Sequence, residues 1–111
     1  MGDSSYIGIL TRLFETIESR KGADAETSYT AKLFSRGRTA IAQKVGEEAV
    51  EVNIAALAEG PDAVAAESAD LIYHLMVLWA DTGITPEQVW AELAKREGLS
   101  GIEEKRARGE L

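Results

Sequence analysis

The chain of 111 residues has no cysteine and one histidine, His74. A disulfide framework is thereby excluded, and the same counts argue against a structural zinc site. A di-iron bundle needs two Glu-x-x-His elements, whereas Asp70 and His74 stand four apart with no second histidine. Proline occurs twice, at Pro61 and Pro86, each beside a turn or capping signal. Basic residues are outnumbered, 12 against 19 acids, for a net charge of −7. That balance argues against nucleic acid or an anionic membrane as partner. Long apolar runs are missing too: Leu71 to Ala80 is too short for a membrane span and contains His74. The N-terminus shows no basic stretch leading into an apolar one, as a secretory signal requires. Tyr6 occupies the place where myristoylation requires Ser or Thr. Together with the missing cysteines, these features suit a cytoplasmic protein.

What the chain does have is helical periodicity from end to end, with no strand alternation and no internal repeat. Hydrophobic residues make up 45% of it, which excludes general disorder. Its length suits one domain, residues 1–111. Ile7, Leu10, Leu13, Phe14 and Ile17 mark one face of a helix over roughly 5–20. A polar loop follows at 21–27, then a short helix from 29 to about 35, broken around Arg36-Gly37-Arg38. Two long helices are predicted at 39–58 and 61–82, separated by Glu59-Gly60-Pro61-Asp62. Thr85-Pro86-Glu87-Gln88 is a capping box that starts a helix to about Glu97, and Ser100-Gly101-Ile102-Glu103 is another, opening a basic tail. The fold class is all-α: an antiparallel helical hairpin completed by shorter helices.

The hairpin carries the chemistry. Glu47, Glu48 and Glu51 lie within one turn of each other on the first long helix, and Glu67 and Asp70 on the second. The two sets are symmetric about residue 59, so an antiparallel hairpin places Glu48 opposite Asp70 and Glu51 opposite Glu67. Both helices are otherwise apolar around most of their circumference, the pattern of buried helices. Carboxylates on buried helices are costly unless paired or metal-bound. A solvated acidic face with an ordinary Lys44–Glu48 pair is the competing explanation for any single acid; it explains the mirrored set poorly.

A cage of four carboxylates calls for a hard cation. Calcium is the weaker choice, because no Asp/Asn-rich loop is present. Mg²⁺ suits rigid helices and bridges to substrate phosphates, with Mn²⁺ as a substitute. Lys44 lies one turn before Glu47 and Glu48, in reach of a phosphate or, equally, of Glu48 itself. His74 reads more readily as a satisfied, partly buried histidine than as a donor to the site, and Trp79 and Trp90 as core or interface anchors. Two apolar helices exceed what three short segments can cover. A homodimer or higher homo-oligomer is therefore expected, with Val50, Ile54, Leu57, Met76 and Trp79 between chains.

Several blocks of this sequence resemble the phosphoribosyl-ATP pyrophosphohydrolases. They are Ser28-Tyr29-Thr30-Ala31-Lys32-Leu33, Lys44-Val45-Gly46-Glu47-Glu48-Ala49-Val50-Glu51, Glu67 to Leu75, and Arg96 to Lys105. The Glu-Glu-x-x-Glu…Glu-x-x-Asp pattern alone is similar to the wider all-α nucleoside triphosphate pyrophosphohydrolase superfamily, MazG-like proteins included. The resemblance covers about residues 5–108 and suggests the form not fused to a cyclohydrolase. It implies hydrolysis of phosphoribosyl-ATP to phosphoribosyl-AMP and pyrophosphate, the second step of histidine biosynthesis. It further implies Mg²⁺ held by Glu48, Glu51, Glu67 and Asp70, and Glu47 to orient or deprotonate water or help bind a second metal. Lys32, Lys44 and Lys105 would then neutralise phosphate charge. A pyrophosphohydrolase for other nucleoside or deoxynucleoside triphosphates, and a non-enzymatic metal-binding dimer, are the two rivals.

Overall fold

Glycine and capping side chains divide the chain into helices. The computed structural model describes Tyr6, residues 8–97 and residues 101–110. Its regular elements are all helical: α1 (Ile9–Ser19), α2 (Tyr29–Arg36), α3 (Arg38–Ile54), a π-helical turn (Ala55–Glu59), α4 (Pro61–Thr82), α5 (Pro86–Arg96) and α6 (Gly101–Ala107). The all-α expectation holds. The Ser28 hydroxyl accepts from the Ala31 amide and caps α2. Thr85 and Gln88 form the anticipated capping box, with Pro86 at the first turn of α5. At the end of α4, Gly83 turns left-handed, and the Ile84 amide donates to the Trp79 carbonyl at 3.0 Å.

The boundaries differ from expectation in informative ways. The first helix begins at Ile9, with Gly8 as its N-cap, later than the expected start near residue 5; residues 1–5 and Ile7 lie outside the described residues, as does Ser100 of the second capping pattern. The first long helix does not stay α-helical to its end. Its last turn widens, and the Gly60 amide donates to the Ala55 carbonyl five residues back, at 2.9 Å. Gly60 has φ 114° and ψ 177°, a region that glycine alone visits freely. Pro61 follows, with no amide to offer the preceding helix.

Packing is lopsided along the hairpin. Helix α1 lies on α4, α2 bridges α3 and α4, and α5 touches α1. The core joins Phe14 and Ile17 of α1, Leu33 of α2, Ile41 of α3, and Met76, Val77 and Ala80 of α4. All of this sits at the open end of the hairpin. There Arg38 donates from Nε to the Asp81 carboxylate at 2.8 Å and from Nη2 to the Asp81 carbonyl at 3.0 Å. Toward Gly60 the cover is thin: Ile54 and Leu57 are exposed, Leu57 to 89%, and so is Val50 at the level of the acids. Met76, expected between chains, is instead fully buried within this one; a helix apolar on every side does not reveal which face turns inward. The Cα radius of gyration is 16.2 Å, against about 13 Å for a compact chain of this length. By length and composition alone α4 is apolar enough to cross a membrane, yet it is the element on which α1, α2 and α3 all pack.

The turn supplies a stability test. Gly60→Ala is expected to lower the unfolding free energy by about 1–3 kcal/mol, since alanine must adopt a glycine-only conformation. Gly46→Ala, in the middle of α3 with open space at its Cβ, should raise it by up to about 1 kcal/mol. Urea unfolding checks both, and equal effects would show that the turn conformation carries no penalty.

Candidate active site

The hairpin register brings acids from both helices together. Glu48 on α3 and Glu67 and Asp70 on α4 each place a carboxylate oxygen within 4.8 Å of the others. Oxygen donors alone, three of them anionic, fit a hard divalent cation. Glu51 lies outside this tight trio and is exposed, but its charge still acts on Glu67. Partial burial, then the negative charges of Asp70, Glu51, Glu48 and Glu59, hold the Glu67 carboxyl above its ordinary range. Sequence reasoning treated Glu59 only as part of the turn. Its spacing of eight from Glu51, two turns along the same stripe, was the available signal.

Lys44 and Glu47 flank the trio. The Lys44 ammonium is 3.5 Å from a carboxylate oxygen of Glu47 and 3.5 Å from one of Glu48. Burial alone would lower its pKa; Tyr29, Glu47 and Glu48 outweigh that and hold it above the ordinary value. The other oxygen of Glu47 accepts from Gln43 Nε2 at 3.0 Å. Glu47 is thus held from both sides on the solvent edge of the trio, while the Glu48 side chain is only 13% exposed.

Helix α2 is latched beside these acids by two side-chain pairs. His74 is buried, and its Nδ1 lies 2.7 Å from the Asp70 backbone carbonyl. A carbonyl only accepts, so Nδ1 carries the proton, and in that tautomer Nε2 is the acceptor. The Tyr29 hydroxyl, 3.0 Å away, therefore donates to Nε2. Next to it, the hydroxyls of Thr30 and Tyr73 bond to each other. His74 is satisfied at both nitrogens, as expected, and engages the main chain of Asp70, not its carboxylate. Tyr29 and Tyr73 were missed as neighbours of the site, because only the tertiary fold brings them there.

The remaining predicted phosphate ligands stand elsewhere. Lys32 opens onto a groove lined by Ala25, Glu26, Ser35 and Arg36. Lys105 is exposed on α6, which does not pack extensively on the hairpin. Of the three lysines singled out, the structure brings Lys44 to the acids.

Comparison with known proteins places this geometry in context. Residues 10–97 match the family model described as phosphoribosyl-ATP pyrophosphohydrolase. A phosphoribosyl-ATP pyrophosphatase of Rhodospirillum rubrum is 66% identical over 100 residues, covering 90% of this chain and 86% of the relative. One of Azospirillum brasilense is 62% identical over 106 residues, 96% of each chain. A third, of Paramagnetospirillum magneticum, is 63% identical over 100 residues, 90% and 92% of the two chains.

The crowding of Glu67 has a measurable sign. Its pKa is raised in the fold, so the native chain holds the proton more tightly than the unfolded one, and this group's contribution to stability falls as pH rises. The penalty is absent below the ordinary carboxylate range and complete above the raised value. In chelator-treated protein, Glu67→Gln should therefore melt above wild type near pH 7, with the gap closing in acid. Equal melting temperatures at neutral pH would show that the acids do not crowd one another.

Proposed function

The chain belongs to the phosphoribosyl-ATP pyrophosphohydrolase family, and from that premise we propose that Glu48, Glu67 and Asp70, with Glu51 beside them, hold the divalent cation of a phosphoribosyl-ATP hydrolase. The protein hydrolyses phosphoribosyl-ATP to phosphoribosyl-AMP and pyrophosphate, the second step of histidine biosynthesis. The observation that carries the site assignment is the convergence of three carboxylates from two helices. Mg²⁺ is the cation proposed, with Mn²⁺ able to replace it, and the cytoplasm is the proposed compartment. Bound there, the cation would neutralise polyphosphate charge and polarise the phosphoryl group under attack.

The chain's own residues divide the remaining work. Lys44 offers a second positive charge beside the acids and takes a phosphate oxygen in place of Glu47 and Glu48. Glu47, positioned by Gln43, accepts the proton of the attacking water. The water oxygen bonds to phosphorus, the anhydride between the first and second phosphates breaks, and pyrophosphate departs. Lys32 and Lys105 are proposed to meet the outer phosphates, contributed by a second subunit. The exposed face of Val50, Ile54 and Leu57 is the proposed contact of a homodimer or higher homo-oligomer.

Substitutions separate these roles. Glu48→Gln and Asp70→Asn should abolish Mg²⁺ binding and turnover while helicity is retained. Glu47→Gln should lower kcat by about 10²–10⁴-fold with little shift in the Mg²⁺ titration. A titration displaced as far as that of Glu48→Gln would make Glu47 a ligand. Pyrophosphate release from phosphoribosyl-ATP, ATP and dUTP sets the substrate preference.

Assembly is tested independently. Light scattering at micromolar concentration should show a mass of at least twice 12.0 kDa; an active monomer would end the shared-site proposal. Mixing Glu48→Gln chains with Lys105→Ala chains should restore activity when each site draws on both subunits.

A further inference from the structure

Tyr29 differs from the other aromatic side chains near the hairpin. Trp79 and Trp90 pack on each other edge to face, their centroids 6.1 Å apart. Tyr73 is partly buried and its hydroxyl is engaged by Thr30. Tyr29, the first residue of α2, leaves 52% of its surface open. Its polar tip is nevertheless fixed by the bond to His74 Nε2, and the two rings meet edge-on at 6.0 Å and 81°. His74 is itself immobilised by burial and by the Asp70 carbonyl. The result is an aromatic ring held at its far end on a residue half open to solvent, which gives up little conformational freedom when a flat group is laid on it.

Its position is equally specific. His74 lies one turn beyond Asp70 on α4, and Lys44 lies one turn before Glu48 on α3, with Tyr29 beside both. The ring therefore borders the acids and Lys44 on the side away from Gly60. A purine nucleoside triphosphate has two unlike parts: an anionic chain, which acids with a cation and a lysine can take, and a flat π-face, which they cannot. We propose that Tyr29 is the stacking platform for the purine of the substrate, and that His74 is the positioning residue that holds its ring in place. The proposal rests on the reading that the triphosphate chain binds at Glu48, Glu67 and Asp70.

Two probes that share the phosphate chain and differ in the base test it. Calorimetry with Mg²⁺ present would compare inorganic tripolyphosphate with α,β-methylene ATP, whose first anhydride position cannot be cleaved. Tyr29→Leu should weaken the nucleotide analogue by about 5- to 150-fold, the range for losing one base–aromatic stack, and leave tripolyphosphate unchanged. Tyr29→Phe and Tyr29→Trp should each fall between wild type and Tyr29→Leu, since both keep a flat ring and lose the hydroxyl anchor to His74. With phosphoribosyl-ATP, Tyr29→Leu should raise KM with kcat nearly unchanged. Equal weakening of both probes would overturn the proposal and make Tyr29 a support of the phosphate site; unchanged binding of both would overturn it outright. If Tyr29→Leu fails to fold, the Phe and Trp variants carry the same comparison. Should wild type not bind tripolyphosphate with Mg²⁺, the reading of the acid site itself fails, and this inference with it.

Discussion

Bringing carboxylates of α3 and α4 to one level opposes the pairing of the two helices, and much of the fold can be understood as holding them there. Like charges within 4.8 Å repel, and partial burial removes some of the water that would screen them. The opposing forces sit at the two ends of the hairpin. At one end Phe14, Ile17, Leu33, Ile41, Met76 and Val77 close a core, and Arg38 fastens both the side chain and main chain of Asp81. At the other, the π turn and Gly60 return the chain. The acids lie between these two fixed points, where the helices cannot splay to relieve them. A site organised in this way is poised for a cation: its repulsion is already present before binding, and neutralisation removes it.

Helix α2 joins that frame to what happens beside it. Its cap at Ser28 sets the first turn, so Tyr29 and Thr30 both meet α4, at His74 and Tyr73. The bond from His74 to the Asp70 carbonyl connects this latch to the residue whose carboxylate completes the trio. Loosening α2 would free the Tyr29 ring and remove a neighbour of Lys44 in one step. The eight residues of α2 thus do more for the site than its short length suggests.

Much of this was legible before any coordinates. The symmetry of Glu48, Glu51, Glu67 and Asp70 about residue 59 depends only on helix rise and one turn, both of which are local, and three of the four converge as that symmetry requires. The caps at Ser28 and Thr85 and the breaks at Gly37 and Gly60 are equally local. What escaped is tertiary or torsional. Glu51 stands one turn toward the hairpin turn, and whether its side chain reaches the trio is a matter of rotamer, which register does not determine. Met76 turned inward because α1 and α2 cover that side of α4, a choice that a helix apolar all round leaves open. The Tyr29–His74 pair spans 45 residues, beyond any periodicity argument.

The site also lies where the covered half of the hairpin meets the bare half. On the open-end side, core residues of four helices exclude water; on the Gly60 side, Ile54 and Leu57 face it. Glu48, at 13% exposure, and the more open Glu51 stand on either side of that boundary. A second copy seated on the bare half would draw water away from Glu51 first. Lower local dielectric strengthens attraction to a bound cation and repulsion among unneutralised acids alike, so the same contact would sharpen the difference between the metal-free and metal-bound states. Assembly and cation binding would then be linked: a cation that relieves the acids favours the closed interface, and the closed interface favours the cation by the same factor.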